Sequence, residues 1–273
     1  MGPLRVVAQR GDVVEAVHLV HVASTEGVLH GEDVVSHLRS SAKPIQAIPL
    51  ADAYDDLDDD ELAIACASHQ AEPAQLDAVR KLLARAGASV DDLECGLQEG
   101  RPEGVLGHTC SGKHAGFLAV CRKSGWPFEG YRLLKHPVQQ RIRELLGCAA
   151  MPCAIDGCGI PTYALPLTAE AALLTRTPDR IANAMRARPE LIGGDGADDT
   201  ALMRLRPGWI AKRGAEGLLC AAAPDGRGYA FKVADGNGRA LRPALATVLG
   251  VEELARVDVE NSDGEVVGAI EAA

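Results

Sequence analysis

The apolar positions of this chain change period twice. Near the start, valines alternate with polar residues over Arg5 to Gln9 and again over Val17 to Ala23, with Gly11 and Asp12 between them. That pattern predicts two short strands joined as a hairpin. From about residue 39 the repeat lengthens to that of a helix. Pro73 opens a segment whose Leu76, Val79, Leu82 and Leu83 share one stripe, and the segment stops near Gly87. Further helices are predicted over Cys110 to Val120, Pro137 to Leu146 with Gly147 as its stop, Thr162 to Leu174, and Pro178 to Arg188. The acidic stretch Asp52 to Glu61 reads as a solvated turn and helix start, and Gly193 to Asp199 as a loop.

Strand character returns at Leu218 to Ala222 and Tyr229 to Val233, around the turn Pro224-Asp225-Gly226-Arg227-Gly228. A helix from about Arg239 to Leu249 and a strand near Val266 follow. Strands at both ends with helices between predict an α/β (α+β) fold in one domain, 1–273. Its antiparallel sheet would come from about 1–38 and 208–273, with 39–207 mainly helical.

Composition narrows the function. Only 3% of residues are aromatic and the net charge is -10, which excludes the stacking platforms and basic patches of a nucleic-acid binder. The start shows no basic stretch leading into an apolar one, and no run of 18 apolar residues occurs, so no membrane partner and a cytoplasmic location are expected. In that reducing compartment the eight cysteines are thiols or ligands. Cys66, Cys121, Cys148 and Cys220 read as small core residues.

Polar chemistry concentrates in five short segments. In Arg39-Ser40-Ser41-Ala42-Lys43-Pro44 a lysine follows a serine by three residues, a spacing that shares one helix face, and Pro44 suits a first turn. A neutral amine can take the proton of such a hydroxyl, as in the Ser-x-x-Lys motif of penicillin-binding proteins and serine β-lactamases. Ser68-His69-Gln70-Ala71-Glu72 follows an apolar run, and its serine either caps the next helix or lines a site. Cys110-Ser111-Gly112-Lys113-His114-Ala115-Gly116 puts a thiol at a helix start beside an amine, which suits a nucleophile, a metal ligand or a buried structural cysteine. Asp156-Gly157-Cys158-Gly159 is a loop carrying a second thiol, and the spacing from Cys153 is not that of a zinc-ribbon pair. Lys212-Arg213-Gly214-Ala215-Glu216-Gly217 precedes a strand and resembles the Lys-Thr-Gly motif of β-lactamases, with Arg in place of Thr.

In this order, from about Val6 to Gly268, these segments resemble the Rhizobium etli type L-asparaginases, the thermolabile class also called asparaginase II. The resemblance implies a β-lactamase/transpeptidase-like fold and hydrolysis of asparagine to aspartate and ammonia. It implies two pairs, Ser40 with Lys43 and Ser68 with Lys212, and a zinc ion held by Cys110, Lys113 and Cys158 with water completing the shell. Arg39, His69, Asp156 and Gly214 would attend the amino-acid substrate. Two departures lie close to these residues. Gly107-His108-Thr109 stands where relatives carry an Asn-rich turn, and Gln70-Ala71-Glu72 where a Gly is common. A glutaminase, a β-lactamase-like serine amidase, and a non-enzymatic, zinc-stabilised amino-acid-binding protein are the alternatives. A homodimer is the expected assembly.

Overall fold

A computed structural model describes residues 1–273. The chain begins with β1 (Leu4–Arg10), β2 (Val13–Ser24), β3 (Gly27–His30) and β4 (Val35–His37), and a 3-10 turn, Arg39–Ala42, follows. Six helices come next: α1 (Lys43–Gln46), α2 (Ile48–Ala53), α3 (Asp59–Cys66), α4 (Pro73–Ala86), α5 (Ser111–Ser124) and α6 (Pro137–Leu146). Then come β5 (Cys153–Ile155), β6 (Pro161–Pro166), α7 (Leu167–Ala171), α8 (Asp179–Ala187), α9 (Pro189–Gly193) and α10 (Asp198–Leu205). The chain finishes with β7 (Ile210–Arg213), β8 (Leu218–Ala222), β9 (Gly228–Val233), α11 (Leu241–Leu249), β10 (Arg256–Glu260) and β11 (Val266–Ala272).

The chain folds as two compact units. A sheet unit holds Met1–Ser36, Leu165–Thr175 and Arg213–Ala273; a helical unit holds His37–Ala164 and Arg176–Lys212. In the sheet unit the strands run β10-β11-β1-β2-β9-β8, with β3 on β2. The N- and C-terminal strands interleave because β1 pairs antiparallel with both β2 and β11, and β2 pairs with β9. Alternation decides the faces: Val6, Val20 and Val22 are buried, while Arg5, Val17 and Leu19 are exposed. The helices α7 and α11 pack on these strands.

At the centre of the helical unit is α5, buried from Ser111 to Cys121 on every side, as a helix enclosed by others must be. It packs against α4, α3 and α2. Contact with α3 is backbone to side-chainless residue: a Cβ on Gly112 would lie 2.3 Å from Ile64 O, so only glycine lets the two helices approach this closely. The acidic stretch before α3 is the expected helix start. Asp58 accepts from Glu61 N at 3.1 Å, and Glu61 accepts from Asp58 N at 3.2 Å. Glu61 itself is buried and paired to Arg85 of α4 at 2.6 Å, which ties the two helices together.

Two expectations need correcting. Residues 162–166 form a strand rather than the first turns of a helix. There Pro161–Ala164 is buried on both faces, an apolar run that periodicity cannot tell from a helix, and β5 pairs with β6 from Cys153 opposite Tyr163 to Ile155 opposite Pro161. The loop expected over Gly193 to Asp199 is shorter, since α9 includes Gly193 and α10 begins at Asp198.

Candidate active site

Arg39 introduces the Ser40 turn with φ 47°, a left-handed conformation costly for a side chain with a Cβ. Its neighbours hold it there: Arg39 N donates to Thr162 Oγ1 at 3.0 Å, and its guanidinium donates to the Asp156 carboxylate. Asp156 also accepts from Gly157 N at 2.7 Å, which fixes the loop carrying Cys158. Ser40 is half-buried. Proline in the first turn of α1 places that serine just before the helix, with Lys43 at the helix start.

Lys43 is fully buried, and its amine donates to Ala67 O and to Ser68 Oγ, the latter at 3.0 Å. Lys43 thus reaches Ser68, the hydroxyl that the resemblance pairs with Lys212. Burial pushes the Lys43 amine down to about 8; the Cys110 charge opposes this and the Lys113 and Lys212 cations add to it. About a tenth of such an amine is neutral at pH 7. Lys212, at the end of β7, is buried and forms an ion pair with Asp199 at 2.9 Å.

The two thiols also meet. Lys113 Nζ donates to Cys158 Sγ at 3.2 Å, and Cys110, Lys113 and Cys158 are all buried. A hydrogen bond from Cys158 favours the Cys110 thiolate, aided by Lys43 and Lys113, and the same bond and burial keep Cys158 protonated. Burial alone would lower Lys113, but the hydrogen bond to Cys158 and the negative charges of Cys110 and Asp156 overcome it and hold the amine above its ordinary range. No group of three His, Cys, Asp or Glu side chains assembles as a metal site. The donor set here is two sulfurs and one amine. Its 3.2 Å nitrogen–sulfur contact is close to the separation of about 3.5 Å between two such donors on a tetrahedral zinc.

His69 is fully buried, and burial and the Lys43 cation pull it down to about 3. Its Nδ1 accepts from Ala71 N at 3.1 Å, so Nε2 carries the proton and donates to Ser111 Oγ at 2.9 Å. The Ser111 hydroxyl donates in turn to Leu106 O at 2.7 Å. Both nitrogens of His69 are thus used inside the protein, where they brace the Ser68 segment against α5. Gly214 lies in the sheet unit, where its N–H donates to Leu218 O at 2.8 Å. The other ten sequence-predicted residues, Arg39, Ser40, Lys43, Ser68, His69, Cys110, Lys113, Asp156, Cys158 and Lys212, all fall in the helical unit.

The departures have physical explanations. His108 Nδ1 accepts from Cys110 N at 3.0 Å, the hydrogen bond to the residue two ahead that an asparagine makes in such a turn. Ala71 adopts φ 64°, where glycine is easier. Asp199 and Tyr131 escaped the sequence reading, and His114 entered it only as a neighbour of the Cys110 thiol. For Asp199 the available signal was an acidic pair, Asp198-Asp199, opening a helix that buries both aspartates along with Leu202 and Met203.

The L-asparaginase II family model matches residues 6–272. No curated protein matches the chain. Among solved structures it is similar to a beta-lactamase from Mycobacterium bovis, 15% identical over 85% of this chain and 93% of that one, with a TM-score of 0.38. No helix is long and apolar enough to cross a membrane. A family match that runs through every one of the polar segments above settles the kinship: the chain belongs to the L-asparaginase II family.

Proposed function

We propose that this protein is an L-asparaginase of the Rhizobium etli type, hydrolysing the side-chain amide of L-asparagine to L-aspartate and ammonia. The observation that carries the reading is the Lys43 amine: fully buried, lowered to about 8, one turn from Ser40 and bonded to Ser68. Ser40 Oγ attacks the amide carbon as neutral Lys43 takes its proton, and the buried cations offset the developing oxyanion. Collapse of the adduct breaks the C–N bond and forms an aspartyl ester, with the proton returned through Ser68 to the leaving ammonia. Water, deprotonated by the same amine, then cleaves the ester and restores Ser40. Lys212, held by Asp199, contributes charge to this relay and depresses the Lys43 amine.

Cys110, Lys113 and Cys158 would hold zinc, with the Lys113 proton released on binding. A bound zinc supplies a Lewis-acidic charge that orients a ligand oxygen. Metal analysis of protein purified without added zinc is expected to find about one ion per chain. Less than about a tenth of that in active protein returns the two thiols to a structural role.

The Lys43–Ser68 bond favours a second reading, in which Ser68 attacks and Ser40 assists. Ammonia release from asparagine and from glutamine by the purified protein tests the proposal. Asparagine is expected to be preferred, although one methylene discriminates by only about 1 to 3 kcal/mol. Release from neither amide would favour a binding protein, and opening of a β-lactam instead would favour the β-lactamase-like reading. The expected homodimer is checked by light scattering and the cytoplasmic location by cell fractionation.

A further inference from the structure

His114 follows Lys113 directly and lies one turn beyond Cys110 in α5, so its side chain shares the Cys110 side of the helix. The charges it feels most are those of Lys113, Cys110, His108 and Lys43. The residue is fully buried, and its Nε2 has no hydrogen-bond partner. Tyr131, also fully buried, accepts from Glu94 N at 2.8 Å and meets His114 Nδ1 at 2.6 Å.

One proton must be placed between these two side chains. If it sits on Nδ1, the tyrosine proton is left without an acceptor and the bare Nε2 without a donor. If Tyr131 donates to Nδ1, only the Nε2–H remains unmet. The second arrangement strands one buried group instead of two, and buried groups left unmet are costly enough to decide it. Ring packing holds the imidazole as well: His114 lies edge-on 5.4 Å from Tyr131 and tilted 6.0 Å from Phe117, and Phe117 lies edge-on 6.4 Å from Tyr131.

We propose that Tyr131 fixes His114 as its Nε2–H tautomer and that this N–H donates to an oxygen of the amino-acid ligand. The assignment rests on the asparaginase reading for the identity of the ligand. His114 would then be a neutral donor of fixed direction in a site that also holds the Lys43, Lys113 and Lys212 amines, with Tyr131 as its positioning residue. A neutral N–H of fixed direction rewards an oxygen at one place, where a lysine can turn to several.

Nitrogen-15 spectra of imidazole-labelled protein, as purified and at one fixed pH, test both halves. A bare Nδ1 and a protonated Nε2 are expected, and saturating L-aspartate should move the Nε2 proton signal. Tyr131→Phe should mix the tautomers and lower kcat/KM about tenfold. His114→Gln, whose amide nitrogen can reach the Nε2 position, should retain kcat/KM within about tenfold, whereas His114→Leu should lose about a hundredfold. An Nδ1–H tautomer overturns the proposal, as does an Nε2 proton unmoved by aspartate in a protein shown by calorimetry to bind it. The spectra need no turnover. An aspartate-shifted Nε2 proton in a protein that releases no ammonia would uphold the histidine assignment while the hydrolase reading failed.

Discussion

In the sheet unit the buried polar side chains are His18, Ser24 and Glu170, while the helical unit buries three lysines, two site thiols, two aspartates beside them and several histidines. The two interiors treat charge in opposite ways. Glu170 accepts from one serine hydroxyl, Ser36 Oγ at 2.9 Å; burial pushes its carboxyl up to about 8, against the pull of that hydrogen bond and of the Lys232 cation, so it stays mostly neutral at pH 7. In the helical unit charges are retained and set against one another: Lys212 on Asp199, Lys113 on the thiols, Arg39 on Asp156. A lone buried acid is disposed of by protonation. A buried set that keeps its charges requires many partners to be placed together, and such sets cluster where chemistry is done.

The largest effect should come from the residue that costs the fold least. Ser40→Ala is expected to reduce ammonia release from asparagine by at least about a thousandfold while moving the thermal midpoint by no more than about 2 °C. Near wild-type turnover would transfer the nucleophile's role to Ser68.

Lys212→Met comes next, because it leaves the Asp199 carboxylate buried without its amine. A loss of about 3 to 5 kcal/mol in denaturant unfolding is expected, and Lys212→Met combined with Asp199→Asn should recover much of it. The single variant also tests the shared field. Activity needs neutral Lys43, so in the wild type it should rise with pH around about 8. Removing the Lys212 cation lets the Lys43 amine titrate higher, and the profile should move to more alkaline pH. An unmoved profile would place Lys212 outside the site.

Glu170→Gln sharpens the contrast from the other side. The folded carboxyl titrates near 8 and the unfolded one near 4.5, so the folded state holds a proton that the unfolded state releases. Stability from this group is complete below about 4.5 and is lost as pH rises toward 8. Glutamine does not titrate. The variant should therefore gain about 4 kcal/mol over wild type at pH 8 and less than about half a kcal/mol at pH 4.5, read by urea unfolding at the two values. The smallest expected effect is Ala71→Gly, which relieves the φ of 64° and should stabilise by up to about 1 kcal/mol.

The sheet unit was the more legible of the two in sequence. The first hairpin and β8 fall where alternation and turn residues put them, because a strand's partner across a tight turn is a local matter. Helices α4 and α6 ended at the predicted glycines, both with positive φ. The candidate site was legible as a set of residues and not as a set of bonds. Ser40 and Lys43 announce themselves by a three-residue spacing, but the amine reaches Ser68, 25 positions away on the segment after α3. Asp199 meets Lys212 across a break in secondary structure, and Tyr131 meets His114 from a loop. Spacing reports neighbours on one element only. Which elements touch is decided by packing such as the Gly112 contact with Ile64, whose tightness a single sequence does not express.

Trapping the covalent intermediate tests the central claim most directly. Protein mixed with L-asparagine, quenched in acid within the first turnovers and digested, should yield the Ser40 peptide with the added mass of one aspartyl group, absent from Ser40→Ala. An aspartyl group on any other residue would contradict Ser40 as the nucleophile. Ammonia release with no acylated peptide, in a protein whose Ser40→Ala and Ser68→Ala variants both still turn over, would contradict the serine mechanism altogether.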